Sequence, residues 1–191
     1  MIKFLCDGCG KEIFQGITED DKRHTLISDI ESETLCSDCF TLGIRARCKK
    51  ISEFQREHRF LSNFWLCSIV YKGTTYKSSE HAYQAAKCLS QIEAELIRNS
   101  QTPGEAKKKG RVVRIRSDWD KVKLEVMEEI LEYKFAVPSL KTKLLATGNS
   151  FLQEGNYWND EFWGVNLKNG RGENHLGKIL MRIRMKLQEE N

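Results

Sequence analysis

Two cysteine pairs, Cys6 with Cys9 and Cys36 with Cys39, carry the spacing of metal ligands. A Cys-x-x-Cys turn lets two thiolates converge on one ion at about 2.3 Å, and two such turns close a tetrahedral shell with no open position. The expected occupant is one structural zinc, with Gly8 and Gly10 easing the first turn. A redox pair or unconnected thiols are the alternatives. Two other stretches, residues 60–65 with 78–84 and residues 154–164, are too polar, aromatic and glycine-rich for packing alone. They hold Glu80 and Asp160. A carboxylate beside a sugar can activate water and stabilise an oxocarbenium-like transition state.

Each of these residues also has a structural explanation. Glu80 in the first turn of a helix complements the helix dipole, and Asp160 in a tight loop can form an Asx turn. Trp119, Trp158 and Trp163 offer faces on which a base can stack, although a tryptophan at a helix start equally suits the core. His81 is expected to be structural, because neighbouring helix positions point to different faces. The run Lys107, Lys108, Lys109, Gly110, Arg111, followed by Arg114 and Arg116, is the most basic part of the chain. It can hold phosphates or nucleic acid, or be a solvated helix face.

The elements that must position these groups follow from periodicity and punctuation. Residues 66–71 and 74–76 around Lys72 and Gly73 read as a β-hairpin. A helix is expected from Ser78 and Ser79, with Ala82, Ala85, Ala86, Leu89, Ile92 and Leu96 recurring at helical spacing. Thr102, Pro103 and Glu105 combine an N-cap, a first-turn proline and a capping-box acid, so a second helix starts there. A third runs over about 117–135, and a fourth from Pro138 to Gly148. The last spans about 174–187, with Leu176, Ile179, Leu180, Ile183 and Leu187 on one stripe. Helices interspersed with a few short strands, without βαβ alternation, give an α+β fold that is mostly helical.

The 191 residues suffice for one core plus a small appendage that needs another source of stability. The basic stretch 45–50 marks the boundary, giving a four-cysteine, zinc-ribbon-like module over residues 1–45 and a main domain over 51–191. The metal supplies the folding free energy of the module. With no apolar run near 20 residues and no signal-peptide core, no membrane partner is expected and the location is cytoplasmic. Reducing conditions there favour metal binding over disulfides for seven cysteines. A net charge of +4 does not by itself announce a nucleic-acid binder.

Residues 60–64, 79–85 and 159–164, together with Lys87, Thr102, Pro103, residues 118–120, Lys134, Phe135, residues 144–148 and the Asn174, Leu176, Gly177, Leu180 and Met181 set, resemble the YbiA-like, or NADAR, family over about residues 51–188. The resemblance implies an N-glycosidase acting on ribosylated bases. Its substrates would be ADP-ribose attached to guanine, free or in nucleic acid, or the phosphoribosylaminopyrimidine intermediates of riboflavin synthesis. Residue by residue, Glu80 resembles the catalytic glutamate and Asp160 the second acid. Trp119 would line the base pocket, with Trp163 beside it, and Asn63 and Arg111 would meet sugar and phosphate. Tyr83 and Lys87 join the substrate-binding candidates. No cofactor is expected for catalysis. The loop 154–160 is about one residue longer than the family pattern, and Tyr157 and Trp158 are unusual there. The competing expectation is a binding module for ADP-ribose or nucleic acid without turnover.

Overall fold

The computed structural model describes residues 49–190 and the backbone of two short strands, β1 (Lys3–Leu5) and β2 (Glu12–Gln15), which pair antiparallel. The boundary near residue 45 and the zinc ligands Cys6, Cys9, Cys36 and Cys39 lie outside the described residues. The remaining elements in chain order are β3 (Lys50–Ile51), a 3-10 turn (Arg56–Leu61), β4 (Ile69–Tyr71), β5 (Thr74–Tyr76), α1 (Ser79–Ala86), α2 (Gln91–Arg98) and α3 (Pro103–Gly110). They continue with α4 (Trp119–Phe135), α5 (Pro138–Leu145), β6 (Phe151–Leu152), β7 (Gly155–Asn156), β8 (Val165–Asn166) and α6 (His175–Glu189). The fold is helix-rich α+β, as the periodicity indicates. Among the described residues the strands form only two-stranded sheets, β3 with β6 and β7 with β8 parallel, β4 with β5 antiparallel.

The hairpin forms where expected, with strand 69–71 shorter than the sequence suggests. Lys72 and Gly73 have φ of 48° and 76°, the pair of positive values that a two-residue turn needs to match strand twist. Thr102 Oγ1 accepts from the Glu105 amide at 3.1 Å, and the Glu105 carboxylate accepts from the Gln101 amide at 2.8 Å, so the cap of α3 forms as its residues suggest.

The single helical pattern expected from residue 78 to Leu96 is instead two helices. α1 ends at Ala86, and α2 restarts at Gln91. Between them Cys88 bridges to Ile115, and the Leu89 amide donates to Arg114 O at 2.7 Å, so a tertiary strand-like contact displaces the helical bond. The apolar stripe that suggested continuity ends in solvent, with Ile92 75% and Leu89 61% exposed.

The long helix α4 is the centre of the core and packs against α1, α5, α6 and β4. Val126, Met127, Ile130 and Leu131 from α4 meet Leu176, Ile179, Leu180 and Ile183 from α6, the two stripes seen in the sequence. Leu187, on the same stripe, is only partly buried. α6 lies close on β6 because residue 177 is glycine, where an added Cβ would stand 2.1 Å from Leu152 O. Among the described residues no helix is long and apolar enough to cross a membrane.

Candidate active site

A cavity of about 540 Å³ opens where the start of α1, the end of α3 and the loop between β7 and β8 meet. Its lining includes Asn63, Glu80, Lys107, Arg111, Glu154, Trp158, Asp160 and Trp163.

Glu80 is placed by two links to its surroundings. Its amide donates to Asn63 O at 3.1 Å, tying α1 to the 60–64 segment, and its carboxylate accepts from Gln84 Nε2 one turn later at 2.7 Å. Ser78 supplies the N-cap, its Oγ accepting from the His81 amide, so capping leaves the Glu80 side chain to face the cavity. Gln84 is held against Glu80 by the neighbouring helix. An added Cβ at Gly110 would stand 2.0 Å from Gln84 Oε1, so α3 passes close because residue 110 is glycine. Burial raises the Glu80 carboxyl above the usual carboxylate range. The Gln84 hydrogen bond and the charges of Lys107 and Lys87 act in the opposite direction, while Asp160 adds to the rise.

Asp160 sits in a loop organised by one side chain. Asn156, 1% exposed, accepts from the amides of Trp158 (3.3 Å) and Asp160 (3.0 Å) through Oδ1, and donates to Asp160 O (2.8 Å) and Val165 O (3.2 Å) through Nδ2. Asn159, at φ 62°, completes the turn and receives Asn166 Nδ2 at 2.8 Å. Asp160 Oδ1 in turn accepts from the Trp163 amide at 2.9 Å. The Asx turn of this loop is made by Asn156 with the Trp158 amide, while Asp160 caps the next turn through the amide three residues on and its side chain still lines the cavity.

Of the other candidates, Asn63, Arg111 and Trp163 line this cavity directly. Asn63 is 7% exposed and its Oδ1 has no hydrogen-bond partner, so a buried acceptor stands unsatisfied at the cavity wall. Tyr83 and Trp119 form the layer behind the lining. The Tyr83 ring lies 5.0 Å from Trp119 and 5.4 Å from Trp163, and Trp119 is itself a core residue at 8% exposure. Lys87 is half-buried within electrostatic reach of Glu80 and Lys107. His81 is fully buried with its ring on Ser78 Oγ at 2.8 Å and Ser100 O at 3.3 Å, the structural role expected of it.

Arg59 lines the cavity without having stood out in the sequence, whereas Lys107 comes from the basic run that can hold phosphates and Glu154 opens the polar, aromatic stretch 154–164, neither with a role of its own assigned from the residues. No site role was expected of Lys134, 0% exposed at the end of α4, whose amine donates to Ser62 O at 2.8 Å and so fixes the backbone beside Asn63. Burial pulls the Lys134 amine down to about 8, against the favourable charges of Cys67 and Glu154. Trp158, 63% exposed, stands at the cavity rim on a backbone fastened by Asn156.

Comparison with known proteins identifies the family. A model of the NADAR domain matches residues 51–188. The chain is 38% identical over 132 residues to N-glycosidase YbiA of Escherichia coli, the match covering 68% of this chain and 81% of that protein. It is 39% identical over 140 residues to riboflavin biosynthesis protein VVA0006 of Vibrio vulnificus, covering 72% of this chain but 38% of the Vibrio protein. The NMR structure of E. coli YbiA superposes with a TM-score of 0.67 at 35% identity, covering 75% of this chain and 88% of that one. Over residues 51–188, the chain belongs to the NADAR family.

Proposed function

We propose that the cavity hydrolyses the N-glycosidic bond between ribose and base in a phosphorylated, nucleotide-like substrate. The observation that carries this reading is the placement of Glu80 and Asp160 in one cavity with Arg59, Lys107 and Arg111. Paired carboxylates suit an oxocarbenium-like transition state, and cations at the same opening suit phosphates. The relatives named N-glycosidases support the reaction class. In this reading Glu80 takes the proton of the attacking water, and Asp160 sets negative charge beside the cationic sugar. Asn63 Oδ1 accepts from a sugar hydroxyl, and Trp163 forms the base-side wall with Tyr83 and Trp119 behind it.

The favoured substrate is ADP-ribosylated guanine, free or in nucleic acid. Three cations and a rim tryptophan suit a ligand with more than one phosphate and a second aromatic ring. The ribosylaminopyrimidine phosphates are the second reading, supported by the relatives named for riboflavin biosynthesis. Chromatographic release of free base from each compound tests the reaction and chooses between them; absence of release from both refutes it. If the second ring stacks on Trp158, Trp158→Ala raises KM for the ADP-ribosylated compound about ten- to a hundredfold, the effect of one lost base–aromatic stack. The same change leaves KM for the aminopyrimidine compound within twofold. Equal effects on both would remove the stacking role.

The structural zinc at Cys6, Cys9, Cys36 and Cys39 belongs to this proposal on its spacing. Metal analysis of the full chain is expected to find one zinc per molecule. Stripping it with a chelator is expected to lower the stability of the N-terminal module while base release persists.

A further inference from the structure

We infer that Glu154 is the proton donor to the departing base, a third functional acid of the cavity with a role separate from those of Glu80 and Asp160. The inference rests on the glycosidase reading above and deepens it.

Three features of the geometry support the assignment. First, Glu154 lines the same cavity as Glu80 and Asp160. Second, its main chain is pinned on both sides. The amide donates to Asn174 Oδ1 at 3.0 Å, the carbonyl accepts from the Val165 amide at 2.9 Å, and Gly164 passes so close that a Cβ there would stand 2.2 Å from that carbonyl. Third, among the described residues no side-chain donor is hydrogen-bonded to its carboxyl, whereas Glu80 holds the Gln84 amide at 2.7 Å. A carboxylate that accepts a fixed N–H is stabilised as the anion, and one left among other acids without a donor is stabilised as the neutral acid.

The charges facing Glu154 act in the same sense. Burial pushes its carboxyl up to about 8, with Asp160 and Glu80 adding to the rise and Lys107 and Lys134 opposing it. Below that pH the group carries a proton to give, and Glu80, which accepts the fixed Gln84 N–H, is the acid held as the acceptor. The step balances. Water oxygen bonds to the anomeric carbon as the carbon–nitrogen bond breaks, and its electron pair stays on the base nitrogen, which takes the Glu154 proton. Glu80 takes the proton released by the water, and exchange with solvent restores both acids.

The test compares native protein, Glu154→Gln and Glu154→Asp on whichever base the native chain releases, ADP-ribosylated guanosine or ribosylaminopyrimidine phosphate. The control is 4-nitrophenyl ribofuranoside 5-phosphate, whose phenolate leaves without a proton. Expected for Glu154→Gln is a fall in kcat of about 10²–10⁴-fold on the natural bond, the usual contribution of a general acid, with nitrophenolate release within tenfold of native. Native activity should decline above about pH 8, where Glu154 loses its proton. That alkaline decline should vanish in Glu154→Gln and persist, displaced, in Glu154→Asp. Base release by Glu154→Gln within threefold of native, an unchanged alkaline limb, or equal loss on both substrates overturns the acid role alone. No base release by the native chain overturns the glycosidase reading, and the acid role falls with it.

Discussion

Glu80→Gln abolishes base release, lowering kcat by about 10³-fold or more while KM changes little. The substitution keeps the shape of the side chain but removes the carboxylate proposed to take the proton of water, a loss on the order of 10²–10⁴-fold by itself. In the same proposal it also removes a negative charge from beside the developing sugar cation. Gln84, which now donates to the carboxylate at 2.7 Å, would face an amide that can still accept through its oxygen, so the local structure survives. Glu80 is 5% exposed and is raised by burial, so its neutral replacement does not lower the melting temperature. Single-turnover release of base and a thermal melt on the same preparation check both halves. A variant that releases base within tenfold of native would exclude Glu80 as the base.

Gly164→Ala has the largest expected effect of any change outside the acids. Its Cβ would lie 2.2 Å from Glu154 O and 2.9 Å from Asn156 Nδ2. The first is backbone already engaged by the Val165 amide, so it cannot swing aside as a side chain would. The β7–β8 pair must open, at a cost of about 1–3 kcal/mol or more by analogy with overpacked cores, which for a domain of this size lowers Tm by roughly 2–12 °C. The same opening displaces Glu154 and Asp160 together, and misplacement by about 1 Å can reduce rate about 10²-fold. Gly104→Ala is the control. Its nearest neighbour is Thr102 Oγ1 at 3.9 Å, so it leaves both Tm and rate near native. Melts and kcat/KM of the two variants side by side decide the matter, and equal behaviour would show that the close approach carries no weight.

Much of this fold is legible in the residues, for identifiable reasons. α6 and α4 carry amphipathic stripes that are met by one another, so period and packing agree. α3 has a proline, a threonine cap and a glutamate in their expected offsets. The break between α1 and α2 is illegible because Leu89, Ile92 and Leu96 continue the helical period. What stops the helix is the pairing of Cys88 and Leu89 with Arg114 and Ile115, partners some 25 residues away. The same limit applies at the site. Glu80 and Asp160 stand out because aromatic and glycine residues crowd around them. Glu154 opens the same stretch as Asp160, but nothing in the residues separates it from the other polar groups there until the fold sets two other carboxylates near it. Lys134 reads as a cation suited to a helix C-terminus, and only the burial of α4 reveals that its charge is enclosed.

The four hydrogen bonds of Asn156 divide the loop into two inheritable parts. The anchored part holds Asp160 in register with the acids across the cavity. The side chains of Tyr157 and Trp158 project beyond the clasp, 52% and 63% exposed, and can be exchanged without disturbing that register, since only the Trp158 backbone takes part in it. Chemistry and substrate range can thus diverge at different rates within one lineage, the first constrained by a single buried amide and the second free to drift at the rim.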